Sequence, residues 1–342
     1  MFSTKKFAVT ALLLVILLAA VTAVSVTLGA ASISFSSSLR ILLSPLFPSL
    51  VSQDIPPSHI YIILQLRLPR VLSALMVGAA LAVSGTVFQA VFKNPMADPF
   101  ILGISAGSAL GVAVGMITGF AMIVSSRWGV PVFAFLGGTG ATAVIYLLGG
   151  RGASSTTLLL AGIAMNFLLS AAMSLLLFFN RDSLESVVYW NMGSLTSSSW
   201  SELSVIIPII MIGTAVILLF SRELNAMTLG DETALSLGIS IRNVRIIVLL
   251  LATLVTASSV AISGTIGFVG LIIPHIMRII TGANHRTLLP YSAVGGALFL
   301  MLSDALARSV VPPSEIPVGI ITAMAGAPYF IYLLKARGRH IL

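Results

Sequence analysis

The chain has 342 residues, 58% hydrophobic and 8% charged, with no cysteine, a formal charge of +8 and a mean hydropathy of +1.10. A soluble globule carries about 25% charged residues, so this composition excludes one and defines a polytopic membrane protein, built of helices because no alternating strand pattern supports a barrel. The missing cysteines exclude disulfides and thiolate metal centres, and no basic run with interleaved aromatics exists to hold nucleic acid.

In chain order, Lys5 and Lys6 precede an apolar run at residues 7–31. Cleavable signals have apolar cores of about 7–15 residues, so this longer run is expected to be a retained first span with its N-terminus in the cytosol. Residues 32–58 hold Pro45, Pro48, Pro56 and Pro57 among serines and read as an external loop with at most one interfacial helix. Further apolar runs lie at 60–92, 99–122, 130–149, 157–179, 203–220, 244–263, 267–281, 288–307 and 316–334, bounded by Gly, Pro or charge. Ten spans put both termini on one side, and the basic tail Lys335, Arg337 and Arg339 matches Lys5 and Lys6. The connections then carry 12 Lys and Arg in the cytosol against 6 outside, as the positive-inside rule requires. Residues 1–342 are expected to form a single transmembrane domain.

Residues 221–245 are a polar insert, cytosolic in this topology, between spans six and seven. Arg222, Glu223, Asp231, Glu232, Arg242 and Arg245 keep it out of lipid, since each would cost about 2.5–3.5 kcal/mol at a bilayer centre. Ser221 and Asp231 are N-cap residue types, while Gly230 and Gly238 are C-cap types, so two short helices are expected back to back. Their apolar residues, Leu224, Met227 and Leu229, then Ala234, Leu235 and Leu237, call for a protein surface to cover them.

Elsewhere, span three has glycine at 103, 107, 111, 115 and 119, a spacing that bares one helix face for close packing or for a groove. Gly103-Ile-Ser105-Ala-Gly107 formally matches a hydrolase nucleophile elbow, but that motif needs a strand before it. Arg67, Arg70 and Arg308 sit at outer helix ends, where they serve as interfacial anchors or as bidentate forks for a partner's carboxylates. Asp304 and Arg308 are spaced for an i,i+4 pair, with Glu315 nearby; the pair locks helices or relays protons, as in an ion-coupled secondary carrier. His275, after Pro274, reads as a hydrogen-bonded core residue, and the lone Asn166 as packing glue or pathway lining. No G-x-x-x-x-G-K-[ST] phosphate loop occurs, so an ATP-driven machine would need its engine from another subunit.

Seven ordered blocks carry a family resemblance: RLPR (67–70), VGAALAVSGTVFQAVFKNPMADPFILGISAGSALG (77–111), LLLAGIA (158–164), YWNMGSL (189–195), LGDETALSLG (229–238), SGTIGFVGLIIPHIMRIITGANHRTLLP (263–290) and EIPVGIITAMAGAPYFIYLL (315–334). Together they resemble the FecCD-like permeases, membrane subunits of type II ABC importers for iron chelates, haem or cobalamin. The resemblance implies a non-enzymatic permease of a prokaryotic plasma membrane, ten spans per chain and a homodimer. Its implied partners are two cytosolic ATPases, which bind the ATP and Mg, and an extracytoplasmic binding protein that delivers a metal chelate. Leu229, Gly230, Asp231, Glu232, Ala234, Leu237 and Gly238 are the implied ATPase contact. Glu232, Ala234 and Gly238 match its E-x-A-x-x-x-G core. Arg67, Arg70 and Arg308 match the arginines that hold the binding protein, Ser155 and Thr156 fall at the cytosolic gate, and Asn166 lies along the translocation path. The match around Asn166 and YWNMGSL leans toward ferric chelates or haem over cobalamin.

Overall fold

The computed structural model describes residues 4–29, 31–50, 54–150 and 154–338, with the side chains of 4–12, 231, 333, 334 and 336–338 outside the description. Every regular element among the described residues is helical: α1 (Thr4–Thr27), α2 (Phe35–Leu43), α3 (Pro57–Tyr61), α4 (Leu68–Val91), α5 (Ile104–Ile117), α6 (Phe120–Val124), α7 (Gly129–Gly149), α8 (Ser155–Phe179), α9 (Leu184–Asn191), α10 (Trp200–Leu219), α11 (Ser221–Thr228), α12 (Asp231–Ser236), α13 (Ile241–Ser263), α14 (Val269–Thr281), α15 (His285–Ser309) and α16 (Val318–Gly338), with short 3-10 and π turns between. Among the described residues, six helices are long and apolar enough to cross a bilayer: Pro57–Val91, α7, α8, α10, α13 and α15. Four shorter apolar helices, Leu13–Thr27, Ile104–Ile117, Val269–Thr281 and Val318–Tyr332, account for the other expected runs. Of these, Ile104–Ile117 and Val269–Thr281, at 14 and 13 residues, are under the roughly 20 that a straight crossing needs, whereas the other two are parts of the longer α1 and α16.

The run expected at 99–122 is broken for a local reason. Gly103 and Gly119 adopt φ of +77° and +74°, a left-handed conformation open to glycine at little cost. They leave α5 with 14 residues between a 3-10 turn at Pro99–Leu102 and the short α6. Residues 32–58 do carry a helix, α2, whose start is capped by Ser34 Oγ accepting from the N–H of Ser37. The helix α9 was not evident from the apolar runs.

Pro57–Val91 is one continuous helix made of α3, a π turn at Ile62–Arg67 and α4. Pro69 accounts for the π turn. It lacks an N–H and its ring crowds the carbonyl four residues back; widening the helix, with Leu68 N–H bonded five residues back to Ile63, relieves that clash.

The core is centred on α4, against which α15, α13 and α14 pack. The contacts are backbone to backbone. A Cβ on Gly78 would lie 2.2 Å from the carbonyl oxygen of Gly296 in α15, and one on Gly85 1.9 Å from that of Gly270 in α14. The glycine ladder of α5 packs in the same way. A Cβ on Gly107 or Gly111 would meet the carbonyl oxygens of Gly137 and Phe133 in α7 at 2.4 and 2.2 Å. That face is a close helix contact and not a groove.

Candidate functional site

Two polar regions lie at opposite ends of α15. At its C-terminal end, Asp304 is fully buried, with Arg70 Nε 2.8 Å from Oδ1 and Arg308 Nε 3.0 Å from Oδ2. The second contact is ionic only, because that Nε–H points at the Asp304 backbone carbonyl oxygen, 3.3 Å away. Arg70 Nη1 also reaches Glu315 Oε2 at 2.5 Å, and Glu315 accepts from Thr196 Oγ1 at 3.3 Å. Glu315, with 29% of its side chain exposed, is the member of the cluster that meets solvent.

The other two arginines finish a helix. The last carbonyls of a helix have no partner within it, and at the end of α1 they are taken in turn. Arg67 Nη1 donates to Val26 and Thr27 at 3.2 and 2.9 Å, and Arg308 donates to Ser25 and Leu28 at 3.1 and 2.8 Å. Arg67 Nη2 adds Ala31 at 2.6 Å. Two cations at the negative end of a helix dipole are favourable, and charge-assisted bonds to its carbonyls more so. Arg67, Arg70 and Arg308 therefore do not form the open outward fork expected of them: they are 7%, 7% and 3% exposed. The same geometry argues against Asp304 as a carrier's proton relay, since two guanidiniums hold it as a fixed counter-charge.

At the other end stand α11 and α12. Leu224 and Met227 of α11 are fully buried against the bundle. Among the described side chains of α12 only Ala234 is buried; Glu232 and Leu235 are exposed, as are Leu229 and Leu237 flanking it. Gly230 and Gly238 bracket α12 at φ of +122° and +76°. Ser221 does not cap α11 as expected. It is the first helical residue, and its hydroxyl donates to the carbonyl of Leu218 within the bend that joins α10 to α11. Asp231 begins α12, and its side chain lies outside the described residues.

The remaining predicted positions lie on α8. Ser155 Oγ donates to the carbonyl of Val91 at 3.0 Å, pinning the start of α8 to the end of α4, while Thr156 is exposed. Asn166 Nδ2 donates to the carbonyls of Phe100 and Ile101 at 3.2 and 3.1 Å. Its amide nitrogen thus serves packing against the 3-10 turn rather than an open path. Ser105 follows a 3-10 turn and a left-handed glycine, without the strand that a nucleophile elbow requires. His275 is half-buried in α14. Among the described residues, no group of three or more His, Cys, Asp or Glu could hold a metal ion.

Two groups went unnoticed in the sequence. Asn225 and His285 join α11 to α15 (see below). Asp98, in the turn after α4, accepts the N–H of Phe100 at 2.8 Å; part of the residue is open, but burial pushes its carboxyl up to about 6.

The described residues thus form an all-helical membrane domain with a short, largely exposed helix hung from one end. The family model described as the FecCD transport family matches residues 13–336, and the chain belongs to that family of ABC transporter permeases. It is 42% identical over 283 residues to the hemin transport system permease protein HmuU of Yersinia pestis, covering 81% of this chain and 83% of that one. It is 40% identical over 285 residues to the cobalamin import system permease protein BtuC of Halobacterium salinarum, covering 83% and 76%. The fold matches a solved ABC transporter, described as of metal-chelate type and inward-facing, with a TM-score of 0.82 and 36% identity over 94% of this chain and 97% of that one.

Proposed function

We propose that this chain is the membrane subunit of an ATP-driven importer that moves a metal chelate, with a ferric siderophore or haem favoured over cobalamin, into the cytosol of a prokaryote. The observation that carries this reading is α12: six residues held between two glycines, with Leu229, Leu235 and Leu237 70%, 61% and 56% exposed beyond an anchored α11. An apolar face of that kind outside lipid is suited to a cleft on a cytosolic ATPase, which would bring the ATP and Mg. Two ATPases would then move α12 as a lever and switch the pathway between outward and inward access.

In this reading all ten apolar helices cross the plasma membrane, with both termini cytosolic. Two copies pair through the outward apolar faces of α8 and α16, where Phe167, Leu168, Met324 and Ile331 are exposed. The gate falls at Ser155 and Thr156, and Asn166 braces the helix that lines the path. An extracytoplasmic binding protein docks at the arginine end. Its acidic side chains would reach Arg70 by taking the place of Glu315, while Arg67 and Arg308 hold the α1 end beneath.

The test is to purify the chain with its cognate ATPases and measure hydrolysis and uptake in vesicles. Glu232→Arg or a bulky change at Gly238 is expected to abolish ATPase retention and uptake together. Uptake that persists without any ATPase would overturn the reading.

A further inference from the structure

α15 runs between the two polar ends alongside α4, which carries Arg70 at one end and also packs on α11 at the other. The 25 residues of α15 span roughly 37 Å at 1.5 Å per residue. Midway it lies directly on α4, where Gly78 and Gly296 leave no side chain between the two backbones.

Its first turn is tied to α11 by a small amide and imidazole network whose atoms can be assigned without ambiguity. The backbone N–H of His285 donates to Asn225 Oδ1 at 2.8 Å, and that of Arg286 to Asn284 Oδ1 at 3.0 Å. A backbone N–H can only donate, so both side-chain atoms are oxygens. Asn225 Nδ2 then donates to Asn284 Oδ1 at 3.0 Å, and His285 Nδ1, 2.8 Å from Asn225 Oδ1, carries the ring proton. His285 is only 2% exposed.

This network holds a helix that could not hold itself. At eight residues, α11 is too short to be stable in isolation. Leu224 and Met227 supply its burial, and Asn225 between them supplies the directional bonds that fix its register on α15.

We propose that Asn225 and His285 are positioning residues that make α11 and α15 move as one body. Displacement of α12 then passes along α15 to the Asp304, Arg70 and Arg308 cluster at the far end, instead of being absorbed in the connection from α12 to α13. The inference rests on the reading of α12 as the ATPase contact.

The test uses the complete reconstituted importer and reads substrate moved per ATP hydrolysed. Asn225→Ala removes all three bonds. His285→Ala removes only the ring bond and leaves the backbone bond and the α11 packing, so it remains informative if the first variant does not fold. His285→Gln restores a donor. The ATPases should still co-purify and hydrolyse ATP within about twofold of the parent rate. Transport per ATP should fall on the order of tenfold in Asn225→Ala and about fivefold in His285→Ala, within the usual range of coupling between sites, and recover in part in His285→Gln. Parent ratios in both alanine variants would overturn the inference, as would a loss of uptake explained by loss of bound ATPase. A parent protein that retains no ATPase would instead overturn the reading of α12, and this inference with it.

Discussion

The helix Pro57–Val91 and the helix α8 are equally apolar, with mean hydropathies of 2.1 and 2.0, yet their most apolar windows are 83% and 17% buried. Apolarity places both in the membrane and says nothing about which is central. Lipid is as apolar as leucine, so helix association there rests on close packing and hydrogen bonds. α4 has both, with bare backbone at Gly78 and Gly85, and Gln89 Nε2 bonded to the carbonyl of Leu271 at 3.0 Å. α8 makes one such approach, Gly162 and Asn166 against the turn at Phe100 and Ile101, and turns Leu160, Phe167, Leu168, Leu175 and Phe178 outward. Side-chain size separates the two helices where hydropathy does not.

The contrast can be broken at its strongest point. Gly85→Leu would drive a Cβ into the carbonyl of Gly270, and we expect it to exceed the about 1–3 kcal/mol of ordinary overpacking, leaving no monodisperse protein after detergent extraction. Phe167→Ala on α8 should leave the fold of a single chain intact and weaken self-association, read by size-exclusion light scattering. A well-folded Gly85→Leu protein would sink the comparison.

Next in size is the buried cluster beside α4. Asp304→Asn leaves two buried guanidiniums without their shared anion, and removing one partner of a buried pair costs about 3–5 kcal/mol. A clear drop in the unfolding temperature should report it. Glu315→Gln, at the open rim, should cost about 1 kcal/mol or less and strengthen docking of the binding protein. Weaker docking in that variant would argue that Glu315 helps the partner rather than competes with it.

On α8 the expected effect is smaller again. Asn166→Ala removes the bonds to Phe100 and Ile101 and should cost about 0.6 kcal/mol and no more than about 1.7, the mean and maximum for side-chain hydrogen bonds between membrane helices. Uptake should persist. A selective loss of uptake with unchanged thermal stability would restore Asn166 to the pathway.

The smallest effect is a slope with pH in the turn beyond α4. The carboxyl of Asp98 has its ordinary value of 3.8 raised to about 6 in the fold, so the folded state binds the proton more tightly than the unfolded one. Stability is then highest below about pH 4, falls between 4 and 6, and is flat above. Asp98→Asn keeps an acceptor for the N–H of Phe100 and should remove this slope in denaturation series measured across that range.

Much of this architecture was legible in the sequence. Each of the ten apolar runs has its helix, and the glycine spacing of α5 announced a close contact, because periodicity and bare backbone are properties of a single stretch. The arginines show where such reading stops. Their residue types signalled a polar helix end, and Arg70 does meet carboxylates, but the acceptors of Arg67 and Arg308 are main-chain carbonyls at and just beyond the end of α1, which any sequence possesses and none advertises. Ser221 was misplaced because a cap-type residue can equally bond back to the carbonyl of the preceding turn. Asn225 and His285 passed unnoticed because each looks unremarkable until the fold brings together positions 60 residues apart.

The capping of α1 also bears on how the chain is made. α1 is synthesised well before α15, and the carbonyls of Ser25 and Leu28 receive their donors from Arg308, 283 and 280 residues later. At about 5–20 residues per second, the interval is roughly 15–55 s. During biogenesis the carbonyls of Ser25 and Leu28 are thus among the last to be paired, whereas those of Val26 and Thr27 meet Arg67 only 41 and 40 residues on, and a nascent chain stopped before α15 would present a half-finished helix end to the quality-control machinery.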